Sequence, residues 1–84
     1  MHIEIYSKEQ CPYCDMAVRK AAAMSTNPTS FGEEIESNIT FEKYMLNVDF
    51  DRNKLLNLFP DARTFPQIKI DGKIIGGWDQ FKAI

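Results

Sequence analysis

The sequence is poor in the residues that most alternatives to a small globular domain would need. It holds only two cysteines in 84 residues, whereas a disulfide-stapled secreted miniprotein carries four or more, spaced to close long loops. It has one histidine and no second closely spaced cysteine pair, so a four-ligand zinc site lacks two of its donors and no metal is expected. Charge of one sign is also scarce. A net charge of −2 and a pI near 5.3 leave no basic face for nucleic acid. No apolar run reaches the roughly 20 residues of a membrane span, and no basic leader with an apolar stretch precedes the first strand. Internal repeats and long linkers are absent, so residues 1–84 read as a single domain.

What is present suits a thin but real core. Hydrophobic residues make up 44% and charged residues 26%, close to globular averages. A chain this short buries roughly 60–65% of its extended surface. His2-Ile3-Glu4-Ile5-Tyr6 alternates as a strand does, and Ser7-Lys8-Glu9-Gln10 makes a loop leading to Cys11. Residues 12–24 predict a helix with Pro12 in its first turn, where a missing N–H costs nothing. Residues 25–38 form a polar stretch in which Ser30 and Glu33 suggest a capped turn carrying Phe31 and Ile35. A second strand is expected over 39–48. Asp49 or Asp51 then caps a helix bearing Leu55, Leu56, Leu58 and Phe59, stopped at Pro60. Pro66-Gln67-Ile68-Lys69-Ile70, the turn Asp71-Gly72 and Lys73-Ile74-Ile75 read as a hairpin, and residues 78–84 as a short last helix. The order is β-α-β-α-β-β-α, an α/β fold whose early alternation favours parallel pairing and whose late hairpin adds an antiparallel edge.

The chemistry concentrates in Cys11-Pro12-Tyr13-Cys14. A thiolate attacks disulfides and a thiol hardly does. With a helix beginning at Pro12, Cys11 sits where orphan amides and the positive dipole end favour an anion, and Lys8 upstream can add a positive charge. Cys14, one turn inward, is expected to be less exposed and to act as the resolving thiol. Two inert core cysteines, or half of a zinc site, are the plainer readings of the same spacing. The position between a strand and a helix favours a redox pair. Such a pair cycles freely where thiols stay reduced, so a cytoplasmic location is expected.

Three stretches resemble the glutaredoxin family. Lys8-x-x-Cys11-Pro12-Tyr13-Cys14 resembles its active-site segment, Thr64-Phe65-Pro66 its Thr-Val-Pro stretch, and Gly76-Gly77-Trp78-Asp79 its Gly-Gly-x-Asp stretch. The Gly-Gly-Trp-Asp-Gln ending is also similar to small phage-encoded members. The resemblance implies a thioredoxin-like fold with a four-stranded mixed sheet and a glutathione-dependent thiol–disulfide oxidoreductase. In it Cys11 attacks a mixed disulfide and Cys14 resolves. It further implies a cis bond before Pro66 and a glutathione site of Lys8, Tyr13, Thr64, Phe65, Pro66, Gly77, Trp78 and Asp79. Lys8 would meet the glycyl carboxylate, the backbone of Phe65 the cysteinyl part, and Asp79 the γ-glutamyl ammonium. Implied partners are glutathione and disulfide-containing or glutathionylated proteins, ribonucleotide reductase among the candidates, acting on a monomer without membrane or nucleic acid.

Each of these residues also has a plainer role. Tyr13 can be an exposed ring, Trp78 packing for the last helix, Lys8 a solvated loop charge, and Gly76-Gly77 the end of the hairpin. Arg52, Lys54 and Arg63 are further cations within the candidate region. Three departures from the family stand out: the 25–38 stretch reads as an insertion, the last helix is short, and Phe65 replaces a valine. The rival function is an iron–sulfur carrier holding a cluster with Cys11 and glutathione. Carriers of that kind tend to have Cys-Gly-Phe-Ser, and Pro12, Tyr13 and Cys14 argue against it.

Overall fold

The computed structural model describes residues 1–25 and 39–84. The elements follow the expected order: β1 (His2–Ser7), α1 (Pro12–Ser25), β2 (Thr40–Met45), α2 (Arg52–Leu58), β3 (Gln67–Ile70), β4 (Lys73–Gly76) and α3 (Trp78–Lys82). The anticipated Ser30–Glu33 turn lies outside the described residues. The strands form one mixed sheet in the order β2-β1-β3-β4. β1 runs parallel to β2 and antiparallel to β3, and β3 pairs antiparallel with β4.

Alternation along β1 divides its side chains between two apolar clusters. Ile3 and Ile5 point to one face, where they meet Ala17 and Ala21 of α1, Ile68 and Ile70 of β3, and Phe81 of α3. The small alanines let α1 lie close to the sheet, and each fully buried Ile or Phe side chain contributes about 1.5–3 kcal/mol. Tyr6 points to the other face, against Phe50, Leu55 and Phe59. Its ring stacks on Tyr44 at 5.0 Å and meets Phe50 and Phe59 edge-on at 5.2 Å each.

β2 ends at Met45, three residues before its expected end, because the chain turns back at once. Asn47 takes a left-handed φ of 65° and donates its N–H to the Phe50 carbonyl at 2.6 Å. Asp49 braces this turn by accepting from the Met45 amide at 2.8 Å. That leaves Asp51 as the cap of α2, accepting from the Lys54 amide at 2.8 Å. The hairpin turn is as expected, with positive φ at Asp71 (52°) and Gly72 (80°). A bulge between Ile68 and Lys69 breaks the β3–β4 register just before Gly76.

Candidate functional site

Cys11 is delivered by Gln10, whose φ of 55° turns the loop into the helix. The Cys11 carbonyl accepts the first helical bond, from the Asp15 amide at 3.2 Å. Its sulfur accepts the N–H of Cys14, also at 3.2 Å. Cys11 is therefore the N-cap of α1, with Sγ in the place of a capping side-chain oxygen. Pro12 follows at the position where an N–H would go unused. Cys11 and Cys14 are joined as a disulfide, their Cα atoms 5.2 Å apart. Sγ of Cys11 lies 3.8 Å from the carbonyl oxygen of Phe65, and the Phe65–Pro66 peptide bond is cis.

The two cysteines differ in exposure in the expected direction but by less than expected. Cys11 is 8% exposed and Cys14 2%. In the disulfide form the outer sulfur lies between the start of α1 and the Phe65 carbonyl.

A cavity of about 640 Å³ opens at Tyr13 and Phe65, the neighbours of this sulfur, and neither cysteine lines it; its size is within the range of small-molecule clefts. Tyr13, Thr64, Phe65, Gly77, Trp78 and Asp79 all line it. Pro66 is buried beneath it, its carbonyl 3.4 Å from where a Cβ on Gly77 would sit. Lys8 does not line this cavity. Its ammonium stands over the Phe65 ring, 5.7 Å from the centroid, and Lys8 borders a smaller recess with Glu9, Leu46, Asn47 and Val48. Arg63 lines the main cavity, whereas Arg52 and Lys54 line neither. Trp78 does both things proposed for it: it borders the cavity and meets Phe81 edge-on at 6.4 Å. Asp79 is highly exposed and pairs with Lys82 at 3.4 Å.

Several lining residues were not anticipated. Gln67 is buried and donates its side-chain N–H to the Thr64 carbonyl at 2.8 Å, pinning the loop that carries Phe65. Gln80 accepts the Gly77 N–H at 2.9 Å, and a Cβ on Gly76, whose φ is +121°, would come within 2.9 Å of the same oxygen. The signal for Gln80 was present in its spacing, three residues after the glycine that begins the helix. Ile74 and Ile75 line the cavity because the bulge brings this end of β4 to its wall. Nothing local in the sequence marks them.

Charge elsewhere on the sheet is arranged around tyrosines. Tyr6 donates to Glu4 at 3.1 Å and Tyr44 donates to Glu42. Burial, reinforced by Glu4, pushes the Tyr6 phenol up to about 12. The hydrogen bond to Glu42, with burial, raises Tyr44 as well. Among the described residues no group of three or more His, Cys, Asp or Glu could hold a metal ion, and no helix is long and apolar enough to cross a membrane.

Known proteins share this arrangement. The family model for glutaredoxin matches residues 3–75. Glutaredoxin 3 of Escherichia coli strain K12 is 34% identical over 84 residues, covering 99% of this chain and 84% of that protein. Glutaredoxin 1 of Rickettsia bellii is 43% identical over 77 residues, covering 92% and 69%. The solution structure of oxidised Escherichia coli glutaredoxin superposes with a TM-score of 0.77 over 99% of this chain and 91% of that one, at 24% identity, which speaks to the thioredoxin-like fold. With its cysteine pair in a CxxC motif at the start of α1, the chain belongs to the glutaredoxin family as a dithiol member, a thiol–disulfide oxidoreductase.

Proposed function

We propose that the chain uses glutathione to reduce protein disulfides and glutathione mixed disulfides, with Cys11 as nucleophile and Cys14 as resolving thiol. The observation that carries this is the place of the Cys11 sulfur. It caps α1 and lies 3.8 Å from the carbonyl of Phe65, which with Tyr13 lines a cavity of about 640 Å³. A thiolate there accepts the Cys14 amide and meets the positive end of a 14-residue helix.

In a monothiol cycle the Cys11 thiolate attacks the glutathionyl sulfur of a protein–glutathione disulfide. The Cys11–glutathione bond forms and the protein thiolate leaves. A glutathione thiolate then attacks that sulfur, freeing Cys11 and producing glutathione disulfide. In a dithiol cycle the Cys11 thiolate attacks a protein disulfide, so that a Cys11–protein bond forms as the first protein thiolate leaves, and Cys14 then attacks Cys11. The Cys11–Cys14 disulfide forms as the second protein thiolate leaves, and two glutathione thiols reduce it in turn, giving glutathione disulfide.

The main cavity suits the γ-glutamyl and cysteinyl parts of glutathione. The backbone at Thr64-Phe65 offers hydrogen bonds to the cysteinyl part, Tyr13 and Trp78 supply apolar walls, and Gly77 admits a close approach. Asp79 is within the lining to take the γ-glutamyl ammonium, and the Trp78 and Asp79 amides open α3. For the glycyl carboxylate we assign Lys8, reaching over the Phe65 ring, with Arg63 as a second cation in the lining. The protein substrates, among them ribonucleotide reductase, a cytoplasmic setting and action as a monomer complete this reading. The Cys11–Cys14 disulfide supports the enzyme over the iron–sulfur carrier, which has no use for a resolving thiol.

The test is a glutathione-coupled assay beside a thioredoxin-reductase assay on wild type, Cys11→Ser and Cys14→Ser. Cys11→Ser is expected to abolish both activities. Cys14→Ser keeps turnover of a small glutathione mixed disulfide but loses reduction of protein disulfides. A reduction potential of about −200 to −230 mV is expected. Equal loss in both variants, or turnover by the reductase alone, overturns the assignment.

A further inference from the structure

Phe65 makes two separate contacts at the reactive centre. Its carbonyl lies 3.8 Å from the Cys11 sulfur, while its ring carries the Lys8 ammonium at 5.7 Å from the centroid. The ring is not free to swing away. It lines the main cavity, packs at the margin of the Tyr6, Phe50, Leu55 and Phe59 cluster, and lies 6.5 Å from the Phe50 ring. The lysine by contrast is an exposed side chain on a loop, and holding its four-carbon stem in one place costs up to about 2 kcal/mol of rotamer freedom. Among the described residues the salt bridges join His2 to Glu42 and Lys82 to Asp79, so Lys8 is spoken for by the ring alone. Its neighbour Glu9 is the nearest carboxylate in sequence, and both border the smaller recess.

We propose that Phe65 is a specificity-determining residue. Its ring stations the Lys8 ammonium at the boundary between the two recesses, and the site thereby prefers mixed disulfides that carry a carboxylate close to the reacting sulfur. This rests on the reading that Lys8 receives the glycyl carboxylate. The ring adds pre-organisation: the cation waits over an aromatic face, and the ligand carboxylate does not have to immobilise it. A neutral substrate gains nothing from the arrangement.

The experiment compares two substrates that differ in one group: a peptide–glutathione mixed disulfide and the same compound with the glycyl carboxylate amidated. The quantity read is the ratio of KM for the amide to KM for the acid. Lys8→Met is expected to lower the ratio, leaving only the share that Arg63 supplies. Phe65→Leu, which keeps an apolar side chain at the cavity wall, is expected to lower it by about two- to fivefold, the worth of an exposed cation–π contact. Phe65→Tyr, which keeps the aromatic face, leaves it unchanged. In a Lys8→Met background Phe65→Leu has no further effect on the ratio.

If Lys8→Met lowers the ratio and Phe65→Leu does not, the proposal is overturned while the role of Lys8 stands. A Lys8→Met ratio equal to wild type removes the role of Lys8 and the proposal with it. Phe65→Leu changing KM for both substrates alike shows Phe65 to be packing only, which also overturns the proposal.

Discussion

Replacing Phe81 tests whether the α3 side of the cavity is held from below. Phe81 has no exposed surface, and its ring is buried against Ile3, Ile5, Ile68 and the alanines of α1. Lys20 of α1 lies over the same ring at 5.6 Å and donates to the Ile84 carbonyl at 3.0 Å. The five residues of α3 are far too few to be helical alone, so this contact is what holds them in shape. Phe81→Ala is expected to cost about 3–5 kcal/mol. A domain of this length has only about 4–13 kcal/mol in total, so the variant sits near the edge of folding. Phe81→Leu fills most of the space and should cost about 1 kcal/mol, lowering Tm by roughly 4–8 °C. Urea denaturation gives the stabilities, and the same preparations give kinetics. Because Trp78 and Asp79 border the cavity from α3, Phe81→Leu should also raise KM for a glutathione mixed disulfide while kcat changes little. A loss under 1 kcal/mol in Phe81→Ala, with KM unmoved, would refute the claim that this ring supports the site.

Alkaline pH provides a second check. The Tyr6 proton is held more tightly in the folded chain, at about 12, than in the unfolded one, at 10.0. Its contribution is therefore complete below pH 10 and disappears as pH rises through about 12. At about 1.4 kcal/mol per pH unit this amounts to roughly 2–3 kcal/mol. Urea midpoints at pH 9 and pH 12 should fall further for wild type than for Tyr6→Phe, and equal falls would assign the effect elsewhere. At the other end of the sheet, Gln80→Ala frees the Gly77 N–H and loosens the corner at Gly76. One lost hydrogen bond predicts a rise in KM for glutathione substrates of about two- to tenfold with kcat preserved. Asp79→Ala should likewise raise KM more than it lowers kcat, and an unchanged KM would leave Asp79 as the partner of Lys82 only.

The elements were legible because their signals are local. Alternation in residues 2–6, Pro12 at a helix start, Asp71-Gly72 in a tight turn and Pro60 after a helix each act over a few residues. The strand that was drawn too long failed for a local reason as well. Leu46 and Val48 continue the apolar pattern, but Asn47 turns left-handed and Asp49 braces the turn with its carboxylate. The site was legible in its motifs and less so in its supports. Gln67, Ile74 and Ile75 reach the cavity through strand pairing and a bulge, which depend on partners far along the chain. The sequence shows Lys8 three residues before Cys11, yet its companion, the Phe65 ring, lies 57 positions on and only the fold brings them together.

The N-terminal amide of α1 that ends on the Cys11 sulfur ties electron transfer to folding. A disulfide sulfur is a weak acceptor and a thiolate a strong one, so the helix is better terminated when the protein is reduced. Whatever free energy separates the two terminations must reappear in the equilibrium with any external thiol, since both belong to one thermodynamic cycle. The catalyst's standing as a donor of electrons is thus set in part by how well one helix begins.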